Sequence, residues 1–97
     1  ILPNVGQTGN IMAFIILSFR SRNQTARMYE IFANSGIPTK IVNTPREANV
    51  GCGISLRFDE IYMQQARQLA NRYPQSTYIG FFKVSGGGRG FSVKRIG

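Results

Sequence analysis

The sequence predicts an α+β sandwich in which a four-stranded antiparallel sheet carries two helices on one face. Three observations predict it. Residues 10–19 (NIMAFIILSF) form a continuous apolar run rich in Ile and Phe, the mark of a strand buried on both faces. Two later segments carry apolar residues at spacings of three and four behind good capping residues, so each reads as an amphipathic helix. Short β-type runs lie between and after these helices, giving the order strand–helix–strand–strand–helix–strand. Two such units make a ferredoxin-like split βαβ arrangement (βαββαβ), and right-handed crossovers place its first and third strands in the centre.

The elements follow in order. Residues 1–9 contain Pro3, Gly6 and Gly9 and read as a flexible lead-in. After the first strand, Ser21 and Gln24 have the spacing of a capping box, with Ser21 at the N-cap and Gln24 reaching back to it. The helix extends to about Ser35, with Thr25, Met28, Tyr29 and Phe32 on its apolar stripe. Gly36 suits a left-handed C-cap, and Ile37-Pro38 prevents continuation. Residues 39–43 form a short strand, and a loop over residues 44–53 follows. Ile54, Leu56 and Phe58 then alternate with Ser55 and Arg57, which predicts a strand with one face in the core. Asp59 is a good N-cap, and Glu60 favours the positive end of the helix dipole. That second helix reaches about Tyr73 and turns Tyr62, Ala66, Leu69, Ala70 and Tyr73 to one side before Pro74 stops it. Residues 77–84 (TYIGFFKV) make the last strand, and the glycine-rich residues 85–90 read as a flexible break. The organisation expected is a lead-in over 1–9, one domain over 10–85, and a Gly-rich basic tail or extra edge strand over 86–97.

Composition narrows the function. Ninety-seven residues suffice for one core. Twelve Lys and Arg against four Asp and Glu give a net charge of +8, which favours anionic partners. One cysteine and no histidine exclude an internal disulfide, a zinc site and a Cys–His nucleophile within one chain. No metal or other cofactor is therefore expected. A lone free thiol suits a reducing compartment, so the expected location is cytoplasmic. The apolar residues 11–17 fall short of the roughly 20 needed to span a bilayer, so no membrane association is expected, and no secretory leader is read at the N-terminus.

Cys52 is the residue with chemistry to offer. It lies between Gly51 and Gly53 at the end of a loop that begins Thr44-Pro45-Arg46-Glu47. The thiolate is the reactive form, and at pH 7 an ordinary thiol is only a few per cent ionised. Arg46 and Arg57 are candidates to stabilise that anion by charge. Gly51 and Gly53 leave the backbone able to aim N–H groups at the sulfur as an anion-holding nest. Thr44, Pro45 and Glu47 shape the loop, with Arg46 and Glu47 placed for a local pair. Arg57 alternates out of phase with the core residues of its strand, which leaves Arg46 the closer candidate. The other reading is plain packing, because free cysteine is among the most buried residue types. No general base or second cysteine accompanies Cys52, so a reactive thiol here is a carrier more than a classical enzyme.

Taken together, Gly36-Ile37-Pro38, Thr44-Pro45-Arg46-Glu47 and Cys52-Gly53-Ile54-Ser55-Leu56-Arg57-Phe58 resemble the selenium/sulfur (Se/S) carrier protein-like family of small bacterial proteins. The resemblance covers residues 11–84 or so and leaves out the tail from Gly86. It implies that Cys52 holds sulfur or selenium as a persulfide or selenosulfide, with Arg46 and Gly53 as matching neighbours. It also implies two partners, a sulfur or selenium donor enzyme and an acceptor protein.

Two rivals stand beside it. A basic sheet with aromatics also fits an RNA-binding module, with Tyr78, Phe81 and Phe82 as base-stacking residues. Its closest motif, residues 89–95, lies after the fourth strand instead of on the third. The other rival is a small-ligand-sensing or structural homodimer, with residues 51–53 as a ligand loop and the sheet face without helices buried against a second copy.

Overall fold

A computed structural model describes residues 12–48, 50–87 and 90–97. In chain order the elements are β1 (Met12–Phe19), α1 (Arg22–Asn34), β2 (Lys40–Asn43), β3 (Ile54–Phe58), a 3-10 turn (Glu60–Tyr62), α2 (Met63–Arg72), β4 (Tyr78–Gly87) and β5 (Gly90–Arg95). One sheet holds all five strands in the order β2-β3-β1-β4-β5, and every neighbouring pair is antiparallel. β1 and β3 lie inside, as the crossover argument requires.

The strand count is five, not four. Ser85, Gly86 and Gly87, expected as a break, continue β4 and pair with Ser92, Phe91 and Gly90 of β5. Glycine lacks a side chain but keeps its N–H and C=O, so a partner strand in register can hold it in a ladder. The 86–97 region thus follows its edge-strand alternative, with residues 88–89 outside those described. The lead-in 1–9 and the first two residues of the expected first strand also lie outside them.

The core has two parts, one on each face of the sheet. On the first, Ile15, Leu17 and Phe19 of β1, Leu56 and Phe58 of β3 and Phe81 of β4 meet Met28 and Phe32 of α1 and Ala66 of α2. Phe32 meets Phe58 edge to face at 5.6 Å, a favoured aromatic geometry. On the second face, Phe14, Ile16, Phe82 and Val84 form their own buried cluster, with Val42, Ala48, Val50, Ile79 and Val93 against it. β1 is therefore buried on both sides, as its unbroken apolar run predicts. β3 departs from its expected single buried face, because Ser55 on the second side is also fully buried. The four core residues of that second face are buried, and Val42, Ala48, Val50, Ile79 and Val93 are half-buried against them.

Local signals explain the helix ends. The N-cap Ser21 accepts from Gln24 N at 3.2 Å, but the Gln24 side chain does not reach back to Ser21. It accepts from Thr77 N at 3.0 Å and from the Thr77 hydroxyl, while Thr77 Oγ1 accepts from Ser21 N at 3.2 Å. The reciprocal bond of a capping box is relayed through Thr77, which ties the start of α1 to the start of β4. At the other end, Gly36 at φ +85° lets Ile37 N donate to Phe32 O and Gly36 N to Ala33 O, a complete Schellman motif. Asp59 caps the 3-10 turn through Ile61 N at 2.9 Å, and α2 begins only after that turn. Tyr73 lies past the end of α2 and is exposed.

Tyr78 starts β4 with its hydroxyl donating to Gly97 O at 2.7 Å. Burial pushes its phenol above the ordinary 10.0, and the nearby Arg95 and Arg67 partly oppose this. As pH rises, the unfolded chain therefore loses this proton before the folded one. Tyr78 contributes its full stability below about pH 10 and loses it as pH rises from there through the higher value of the folded phenol, so denaturant melts are expected to weaken above about pH 10. Tyr78→Phe is expected to flatten that part of the profile.

Candidate functional site: a cysteine loop at the end of the sheet

The loop between β2 and β3 is closed at its base. Thr44 N donates to Gly53 O at 2.8 Å. The Thr44 hydroxyl meets Ser55 Oγ at 2.6 Å, and Ser55 Oγ meets Ser18 Oγ at 2.7 Å. Ser18 and Ser55 face each other across β1 and β3, both fully buried. Three hydroxyls thus satisfy one another in a place where an unpaired one is costly. Ser55→Ala removes the middle member and leaves Ser18 without this partner. The expected loss is about 1–2 kcal/mol in a denaturant melt.

From this base the loop folds back over the sheet. Ala48 N donates to Pro45 O at 3.0 Å, and Ala48 and Val50 pack on the second-face cluster. Gly51 then crosses the end of β1 at φ +75°, so close that a Cβ there would lie 2.7 Å from Phe19 O. Gly53 also has positive φ, +94°, but a Cβ there would meet nothing within 4 Å.

Cys52 sits between these two turns, half-buried. Its sulfur lies 3.8 Å from Ile54 O and 3.9 Å from the hydroxyl of Thr25. Thr25 is fully buried in the first turn of α1, and its hydroxyl also donates to Ser21 O at 3.0 Å. This arrangement suits both forms of the sulfur. A thiol donates its proton to Ile54 O and leaves the Thr25 hydrogen on Ser21 O. A thiolate has no proton to give, and rotation of the Thr25 hydroxyl turns that hydrogen to the sulfur.

The structure sorts the residues expected from the sequence. Thr44 and Pro45 shape the loop through the bonds just described. Gly51 and Gly53 set its path, but the sulfur's hydrogen-bond partners among the described residues are a hydroxyl and a carbonyl, not the loop amides of a nest. Arg57 places its guanidinium 3.8 Å over the Phe14 ring, on the sheet face away from α1. The strand alternation that takes it out of the core also takes it away from the thiol side. Arg46 is exposed and lines, with Thr44, Pro45, Val50, Gly51 and Gly53, a depression of about 280 Å³. Glu47 is exposed too, and the only ion pair among the described residues is Lys83–Glu60 at 3.1 Å, so Arg46 and Glu47 do not pair. In the sequence Thr25 is only one member of a helix stripe. The signal it offered was a hydroxyl on the apolar face of a first turn.

The features of the rival readings are placed as well. Phe81 and Phe82 are core residues, 2% and 7% exposed, and of the three expected stacking aromatics only Tyr78 reaches the surface. Among the described residues no group of three or more His, Cys, Asp or Glu could hold a metal ion. No helix among them is long and apolar enough to cross a membrane.

Neither a search of curated proteins nor a search of solved structures returned a match. The model of the family described as "Putative Se/S carrier protein-like" matches residues 14–81. That span runs from within β1 into β4 and takes in Thr25, the closed loop and Cys52. Since it covers more than half of the sequence, the chain belongs to the Se/S carrier protein-like family.

Proposed function

We propose that this protein carries a single sulfur or selenium atom on Cys52. The observation that carries this reading is the half-buried sulfur held beside the Thr25 hydroxyl, inside the span matched by the family. In the reaction, the Cys52 thiolate attacks the outer chalcogen of a persulfide or selenopersulfide on a donor enzyme. The bond between the donor's sulfur and that atom breaks, and the donor leaves as a thiolate. Cys52 then holds a persulfide or selenosulfide, and no external oxidant or reductant is consumed. Attack by an acceptor's thiolate on the outer atom reverses the roles and returns Cys52 as a thiolate. Arg46, exposed on the loop, attracts the anionic donor group, and Gly51 and Gly53 hold the cysteine where a partner reaches it.

The test uses a donor persulfide labelled with radioactive sulfur. Label should stay with the protein through gel filtration and leave it when an acceptor thiol is added. Label that never associates, or that no acceptor thiol removes, contradicts a carrier. Thr25→Val keeps the shape and removes the hydroxyl, so loading is expected to slow, by only a few-fold for a contact as long as 3.9 Å. An unchanged loading rate removes Thr25 from the mechanism.

A further inference from the structure

A depression of about 430 Å³ opens at the same end of the sheet, lined by Arg20, Ser76, Thr77, Tyr78, Ile79 and Arg95. Arg95 is fixed in place there. Its Nη2 donates to Ile79 O at 2.6 Å, and its Nε lies against Gly80, where a Cβ would come within 3.0 Å. Among the described residues one N–H of the guanidinium is used this way, out of its five donors. Arg20 comes from the end of β1, held by the bond from its own N to Thr77 O at 2.9 Å. The Ser76 hydroxyl accepts from Gln24 Nε2 at 3.0 Å, which leaves its hydrogen to donate. Thr77 has already spent its hydrogen on Gln24.

Among the described residues the lining offers two cations and a hydroxyl donor and no carboxylate side chain, with Gly97 O nearby but taken by the Tyr78 hydroxyl. The chain has only four acidic residues, and none of them lines this depression. Two exposed guanidiniums on one recess make it locally positive, which favours an anion there. We infer that this recess binds a phosphate group, held by Arg20 and Arg95 with Ser76 as a neutral donor. Guanidinium suits a tetrahedral oxyanion because its fork of N–H groups matches two oxygens at once. Tyr78, 40% exposed, and Ile79 supply an apolar wall for the organic part of a phosphate ester. This inference does not depend on the chemistry of Cys52.

The test is a two-dimensional amide NMR titration of the full chain with inorganic phosphate, against sodium chloride at matched ionic strength. Saturable shifts at Arg20, Ser76, Thr77, Ile79 and Arg95, absent with chloride, are expected. Arg95→Gln should weaken binding by about tenfold, the loss of one charge-assisted bond. Arg20→Gln should do the same, and it keeps the test sound if the first variant disturbs β5. Lys94→Gln makes the same charge change on β5 at a neighbouring exposed position and should leave binding unaltered. Ribose 5-phosphate and a short single-stranded oligonucleotide then assign the source of the phosphate. One-site saturation by the sugar phosphate points to a small ester, and a salt slope that grows with oligonucleotide length points to a polymer. Shifts that follow ionic strength alone, or that Lys94→Gln reduces as much as Arg95→Gln, overturn the site.

Discussion

Gly51→Ala is expected to destabilise the protein by about 3 kcal/mol and to lower its melting temperature by more than about 10 °C. Two costs add at this position. At φ +75° an alanine pays the steric penalty of the left-handed region, about 1–2 kcal/mol. Its Cβ would also lie 2.7 Å from Phe19 O and 3.2 Å from Ile79 Cδ1. The first contact is with backbone in the middle strand of the sheet, which cannot swing aside as a flexible side chain could. Gly53→Ala separates the two costs. Its φ is also positive, but a Cβ there is in open space, so only the conformational cost of about 1–2 kcal/mol applies. Equal losses at the two positions would show that the loop does not press on the end of β1. The loop carries Cys52, so Gly51→Ala should also reduce sulfur loading where the fold survives.

Cys52→Ser is expected to abolish loading altogether and to leave the fold nearly as stable as before. The hydroxyl of serine donates to Ile54 O as the thiol does, and the long contacts of the sulfur, 3.8 and 3.9 Å, contribute little. A stability change within about 1 kcal/mol is expected. What serine lacks is an ionisable, polarisable atom that attacks a persulfide and then forms a sulfur–sulfur or sulfur–selenium bond. A substitution silent in melts and absolute in loading separates a carrier thiol from a packing cysteine. A loss of several kcal/mol would instead favour the packing reading.

Most of the elements were legible in the sequence because their signals are local. The apolar run of β1, the stripe of Thr25, Met28 and Phe32, and Gly36 followed by Ile37-Pro38 each act within a few residues. What was misread depends on partners far along the chain. Ser85-Gly86-Gly87 looks like a linker until β5 supplies a ladder for it. Gln24 has the spacing of a capping box, but its side chain is claimed by Thr77, 53 residues away. Ser55 looks solvent-facing by alternation and is buried because Ser18 and Thr44 give its hydroxyl partners.

The site was legible to the same depth. Cys52 and its glycine turns stand out in the sequence because they are local and unusual. The neighbour of the sulfur does not, since Thr25 is 27 residues earlier and belongs to a helix. Arg57 was the nearest downstream charge in sequence, but strand geometry carries it to Phe14.

Whether Cys52 accepts one chalcogen atom is read from the intact mass of the protein. After incubation with a persulfide donor and removal of that donor, the chain should gain about 32 Da, the mass of one sulfur, and an acceptor thiol should take that mass away. The gain should map to the peptide containing Cys52 and be missing in Cys52→Ser. An unchanged mass with a donor that loads other carrier thiols would show that Cys52 is not a carrier thiol.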